Sequence, residues 1–196
     1  MPIAQTELHY TTPFDLLVAV ILSAQCTDKR VNMVTPALIH DYPNAEAMAL
    51  ATPEVIFEYI KSISYPNNKA KHLVGMAQKL MHDFNGEVPS TMEELTSLPG
   101  VGRKSANLIM GDIFGQPAIV TDTHCIRIAN RIGLVNGIKE PKKVEMELWK
   151  IVPPEEGSNL CHRFVMHGRA VCTARTKPYC DKCCLIDVCK KNIEKK

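Results

Sequence analysis

The sequence predicts an all-α protein, and three observations carry that expectation. Apolar residues recur at i, i+3 and i+4 in segment after segment. Those segments are bounded by Pro, Gly and Thr or Asp, the residues that start and stop helices. No segment alternates apolar and polar residues over five positions, so no sheet is expected. In order, Phe14 to Leu22 follows Pro13 with helical spacing at Phe14, Leu17, Val18, Ile21 and Leu22. Val31 to His40 reads as a second helix, interrupted or offset at Pro36. Ala45 to Leu50 and Pro53 to Ile60 are short, and Thr52 is placed to cap the latter. Asn68 to Phe84 is long, with Leu73, Met76, Ala77 and Leu80 on one face. Met92 to Leu98 leads into a glycine turn and Arg103 to Phe114 leads out of it, stopped by Gly115-Gln116-Pro117. Asp122 to Ile132 ends at Gly133, Glu140 to Val152 ends at Pro153-Pro154, and Ser158 to Cys172 is last.

At 196 residues the chain fits one large domain or two small ones, and turn residues at 115–117 suggest a division there. Apolar residues make up 45% and charged residues 22%, the balance of an ordinary soluble protein. No run of eighteen apolar residues and no basic-then-apolar leader occurs, so a cytoplasmic protein without a membrane partner is expected. The net charge of +2 is unevenly spread: residues 160–196 carry nine Lys or Arg against three acids, and the rest is net acidic. A basic lobe beside an acidic one suits a polyanion touching one side, although Lys190 to Lys196 alone reads equally well as a solvated tail.

Leu98-Pro99-Gly100-Val101-Gly102-Arg103-Lys104 places a very tight turn between two helices. Gly100 and Gly102 can take positive φ and admit a close backbone, and Val101 would tuck between the helices. Amides of such a turn, with the N-terminus of the next helix, attract a phosphate and read no base sequence. An ordinary helix–turn–helix corner is the plainer reading. Lys104 falls in the first turn of its helix, where the positive dipole end and Arg103 disfavour its protonation. That favours the neutral amine needed for nucleophilic attack; a phosphate-binding or solvated lysine is the alternative. Asp122, in Val120-Thr121-Asp122-Thr123-His124, stands at a helix start, where capping alone would explain it.

Cys172, Cys180, Cys183 and Cys189 fall within eighteen residues of a Lys- and Arg-rich segment. In a cytosolic chain such thiolates are held by a metal more readily than oxidised to disulfides. Cys184 competes with Cys183 as a ligand. Tetrahedral zinc is the rival metal, with His162 and His167 available for a mixed site, but only one CxxC pair occurs. Cys26, Cys125 and Cys161 read as small buried apolar residues.

Together these strings resemble the endonuclease III family of DNA base-excision glycosylases, within the helix–hairpin–helix glycosylases. The likeness includes Leu22 to Asp28, Asn67 to Ala70, Asn85 to Pro89, Leu98 to Asn107, Val120 to His124, and His167-Gly168-Arg169 leading to the cysteines. It implies a six-helix barrel over 14–115, with the hairpin motif at about 92–114, and a [4Fe–4S] lobe from 1–13 and 116–196 with its cluster loop at 172–189. Damaged double-stranded DNA would lie between the lobes, with the lesion flipped out of the stack. A monomer is expected, associated with the nucleoid when bound. By the resemblance Lys104 is the nucleophile that displaces the base and forms a Schiff base, and Asp122 assists the attack. Elimination then cuts 3′ to the lesion, and the substrates are oxidised or ring-saturated pyrimidines. Gln25 would fill the gap left by the flipped base, and Tyr65 stands where the family places an apolar wedge. Gly100, Val101, Gly102 and Arg103 would hold the backbone, with Arg175 and Lys177 facing phosphates. The related adenine mismatch glycosylases usually carry a small hydroxyl residue where Lys104 stands. A monofunctional glycosylase and a non-catalytic iron–sulfur DNA-binding module remain as alternatives.

Two departures from the family pattern stand out. Its cluster spacing is C-x6-C-x2-C-x5-C, whereas seven residues separate Cys172 from Cys180, one more than the pattern. Family members also usually carry a further N-terminal helix, which implies a less stable cluster lobe here.

Overall fold

The computed structural model describes residues 6–192, and among them every regular element is helical. The first five residues, on which the expectation of a shortened N-terminus bears, lie outside the described set. The chain divides into two compact units, Glu7–Phe114 and a second that begins at Gly115 and includes Thr6.

The first unit is built around α1 (Pro13–Ser23), whose residues Phe14 to Leu22 are all buried. A helix apolar on every side belongs inside a core, and Leu16, Leu17, Val18, Ala19 and Leu22 have no exposed surface. Its entry is fixed by a capping box: Thr12 Oγ1 accepts from the Asp15 amide, and the Asp15 carboxylate accepts from the Thr12 amide. Around α1 pack α2 (Asp28–Asp41), α5 (Pro66–Phe84) and α7 (Arg103–Asp112). The short α3 (Ala45–Ala49) and α4 (Pro53–Ile60) lie on α5, and α6 (Met92–Ser97) packs on α7. Pro36 does not interrupt α2, contrary to expectation. Proline inside a helix costs about 3 kcal/mol. Burial of Val31 and Leu38 offsets a comparable amount, at about 1.5–3 kcal/mol each. Thr52 occupies the cap position of α4 without a side-chain cap bond, and Pro53 at the first helical position suffices.

Residues 7–13, expected with the cluster lobe, pack on this first unit instead. Leu8 is buried in its core, and the Asn32 side chain ties down the segment by accepting from the His9 amide and donating to the Glu7 carbonyl.

The second unit opens with the buried stretch Ala118, Ile119 and Val120, then α8 (Thr123–Ile132), α9 (Pro141–Leu148) and α10 (Gly157–Ala170). Helices α8 and α10 pack together closely at Gly168: a Cβ there would lie 2.4 Å from His124 Nδ1 and 2.7 Å from Arg127 Nη2. Its buried apolar residues end at Phe164, so the segment 172–189 adds none to the core among the described residues. A loop of that kind needs another source of order.

Candidate nucleic-acid interface and metal centre

The hairpin between α6 and α7 is anchored by Leu98 and Val101, both buried, and closed by the Val101 amide donating to the Leu98 carbonyl at 3.1 Å. Gly100 takes φ 81°, and a Cβ there would meet His72 Cβ at 3.0 Å, so the position demands glycine twice over. Gly102 differs from expectation: its φ is −98°, within reach of any residue, and a Cβ would meet nothing within 4 Å. The fold itself therefore places no demand for glycine there. Gly102 is also the N-cap of α7 and supplies no side-chain acceptor. Like α4, α5, α9 and α10, α7 therefore starts without a side-chain cap, in contrast to α1, α2, α3, α6 and α8. Arg103 and Lys104 project from that uncapped turn and are exposed.

One helix braces three separate candidate contact elements. His72 of α5 meets Gly100, and a Cβ on Gly75 would be 3.5 Å from Pro99, so the middle of α5 supports the hairpin. Tyr65 stands at the N-cap of α5 in the left-handed conformation, φ 56° and ψ 50°, and the residue is 63% exposed. Gln25, just beyond α1, is exposed and also left-handed at φ 54°. For a residue other than glycine each such conformation costs on the order of 1–3 kcal/mol. Asn85 and Lys191 are left-handed and exposed as well. Lys69, in the second turn of α5, donates to the carbonyls of Leu22 and Ala24 at 2.7 and 2.6 Å.

Asp122 caps α8, with Oδ1 accepting from the Cys125 amide at 2.7 Å, so the structural job is real. That bond engages only one of its two oxygens. The carboxylate is partly exposed. Cys125 and Cys161 are buried as expected, and a hydrogen bond with Cys161 together with burial pushes the Cys125 thiol far up. Cys26 is only half-buried, since it sits in the exposed turn after Gln25.

Cys172, Cys180, Cys183 and Cys189 line one common pocket with Arg131, His167 and Ile186. Cys184 is exposed and absent from that lining, which separates it from Cys183. Several donors point at the sulfurs: Arg131 Nη1 at 3.4 Å from Cys172 Sγ, and the Lys191 amide at 3.3 Å from Cys189 Sγ. His167 Nε2 lies 3.6 Å from Cys183 Sγ. Among the described residues no three His, Cys, Asp or Glu side chains converge on a single-ion position. Four cysteine sulfurs lining one pocket, with N–H groups near two of them, form a donor set that suits a thiolate-bound metal centre.

Residues 18–154 match the HhH-GPD superfamily of base excision DNA repair proteins. The endonuclease III of Synechocystis sp. is 48% identical, over 96% of this chain and 85% of its own length. That of Escherichia coli K12 is 41% identical, over 96% and 89%. The chain belongs to the endonuclease III family. Its backbone is similar, at TM-score 0.91 and 41% identity, to a trapped endonuclease III–DNA covalent intermediate, over 97% of this chain and 89% of that one. A thermostable thymine-DNA glycosylase shares the fold at TM-score 0.85 and 24% identity.

Against the family pattern, the extra residue before Cys180 is taken up in a local turn. Thr173 Oγ1 donates to the Thr176 carbonyl at 3.1 Å and meets Thr176 Oγ1 at 2.8 Å. The Tyr179 amide then returns to the Val171 carbonyl. Arg175 and Lys177 remain exposed on that loop. Sequence reasoning missed Arg127 and Arg131, four residues apart on α8, although i, i+4 spacing on a strongly amphipathic helix is a readable signal. Arg127 grips the carbonyls of Gly168 and Cys172, and Arg131 those of Cys172 and Thr173. It missed Lys69 as well, which no local pattern marks.

Proposed function

We propose that the protein is a base-excision-repair DNA glycosylase with coupled AP lyase activity, acting on oxidised or ring-saturated pyrimidines in double-stranded DNA. The observation that carries this reading is Lys104 in the uncapped first turn of α7, within a chain of the endonuclease III family. A helix start without a side-chain cap suits a DNA phosphate, and the free space at Gly102 suits an external body pressed against the backbone. Gly100 and Val101 hold the turn and Arg103 adds charge beside it. The Lys104 amine attacks C1′ of the flipped nucleotide, and the base leaves with the bonding electron pair and a proton. The opened sugar is then held as a Schiff base. Loss of a proton from C2′ expels the 3′ phosphate and cuts the strand. Asp122 supports the attack with the carboxylate oxygen its cap leaves over, stabilising positive charge as the base departs. Gln25 and Tyr65 enter the duplex at the vacated position and on the opposite strand. Arg175 and Lys177 contact phosphates.

Cys172, Cys180, Cys183 and Cys189 would hold a [4Fe–4S] cluster whose role is architectural, ordering a basic loop that has no apolar core of its own. The protein acts as a monomer in the cytoplasm, at the nucleoid. The test is borohydride trapping on duplex DNA carrying an oxidised pyrimidine or an abasic site. A covalent adduct that disappears in Lys104→Ala supports the reading. Base release without trapping supports a monofunctional glycosylase, and binding alone a non-catalytic module.

A further inference from the structure

Lys69 is 5% exposed, and its ammonium group reaches away from α5 to the end of α1. There it donates to the Leu22 carbonyl at 2.7 Å and to the Ala24 carbonyl at 2.6 Å. These lie in the stretch where a helix leaves its last carbonyls without donors and concentrates negative potential. Helix α1 has no basic residue of its own in its last turn. The cation that serves its end comes from forty-five residues away. The next residue after Ala24 is Gln25, left-handed and exposed. The Lys69 amide donates to the carbonyl of Tyr65, which is also left-handed, at 3.2 Å, in the opening turn of α5. One residue thus bonds by its side chain to the carbonyl just before Gln25 and by its main chain to Tyr65. Burying a lysine is costly, and desolvation indeed lowers its pKa. An apolar side chain would satisfy the packing but would leave two carbonyls without a donor and Gln25 unsupported.

We propose that Lys69 is a positioning residue, holding Gln25 and Tyr65 at a fixed mutual spacing so that both enter the duplex around a flipped nucleotide. The proposal rests on the glycosylase reading of those two residues. It assigns Lys69 no contact with the sugar, so its effect is confined to substrates that must be opened.

The experiment compares two substrates: a duplex with an oxidised pyrimidine, and a single strand with an abasic site, which needs no gap filled and no wedge. Lys69→Met is expected to slow duplex base excision on the order of tenfold or more, the scale of a lost charge-assisted hydrogen bond. Borohydride trapping on the single strand should stay within about threefold, because Lys104 is untouched. Lys69→Arg, which keeps the charge and the donors, should recover most duplex activity. Gln25→Ala should slow the duplex reaction too, and Lys69→Met with Gln25→Ala should be little worse than Lys69→Met alone. Equal losses on both substrates, an unaffected duplex reaction, or fully additive losses in the double variant would overturn the proposal. Should Lys69→Met not fold, Lys69→Gln is read in the same way on the same substrates. Failure of the underlying reading looks different: no adduct forms with the unsubstituted protein, or Gln25→Ala and Tyr65→Ala leave duplex excision unchanged.

Discussion

Arg131 donates through Nη1 both to the sulfur of Cys172, at 3.4 Å, and to the carbonyl of Thr173, at 2.7 Å. One guanidinium therefore orders the first turn of the cysteine loop and offers N–H density to a thiolate. Replacing it with Met keeps the aliphatic stem and removes the donors. Arg131→Met is expected to destabilise the second unit by about 2–3 kcal/mol, from hydrogen bonds to a charged group lost at a half-buried site. For the cluster proposed above, iron content and the visible absorbance of the purified protein should fall together. Retention of full iron loading and an unchanged melting transition would remove Arg131 from this role.

The capping box of α1 gives a pH dependence with a definite sign. Burial raises the Asp15 carboxyl, but hydrogen bonds from the Thr11 hydroxyl and the Thr11 and Thr12 amides outweigh it and hold the group below its ordinary value. A carboxylate depressed in the folded state contributes stability that is complete above its unfolded value of about 3.9. That contribution is lost as pH falls through the lower folded value. Asp15→Asn should cost about 0.5–2 kcal/mol at neutral pH. The gap between the two proteins should close in strong acid, below the folded value. Chemical denaturation at a series of pH values checks this; a constant gap would count against it.

Gly168 and Gly102 make a paired prediction. A methyl at 168 has no room between His124 and Arg127, so Gly168→Ala should destabilise the second unit by about 1–3 kcal/mol through overpacking. A methyl at 102 meets no protein atom, so Gly102→Ala should cost only the modest loss of a worse cap. Its effect should fall on DNA affinity, and the slope of binding against salt should become shallower as a phosphate contact is lost. Melting curves and salt-dependent binding isotherms separate the two. Unchanged DNA affinity in Gly102→Ala would mean that no backbone approaches there.

Much of this architecture was legible because local rules and tertiary packing agree. The buried stretch of α1, the stop at Gly133 and the hairpin between Leu98 and Gly102 each carry their own signal. Pro36 misled because propensity is local, whereas the burial of Val31 and Leu38 that carries the helix past it is tertiary. Gly102 misled for the opposite reason: the chain itself does not need glycine there, and a sequence does not say whether the crowding body is internal or external. Cys183 lines the pocket and Cys184 does not, a difference of loop path that two adjacent cysteines in a sequence do not reveal. Lys69 was invisible because its partners stand forty-five and forty-seven residues away, and nothing nearby distinguishes a buried lysine from a solvated one.

Tyr65 carries the last prediction. The residue is 63% exposed and left-handed at the head of α5, and the proposed function makes it the wedge on the opposite strand. An aromatic ring stacks on a base, while an aliphatic wedge only fills space, so the identity of the opposing base should matter more to the tyrosine. Base–aromatic stacking is worth about 1–3 kcal/mol, enough to change relative rates by about tenfold. Tyr65→Leu should therefore flatten or reorder excision rates across a panel of the four bases opposite one oxidised pyrimidine. Single-strand cleavage should not respond, because no opposing strand is present to be wedged. Identical rate profiles for the two proteins across the panel would show that the ring does not read the opposite strand.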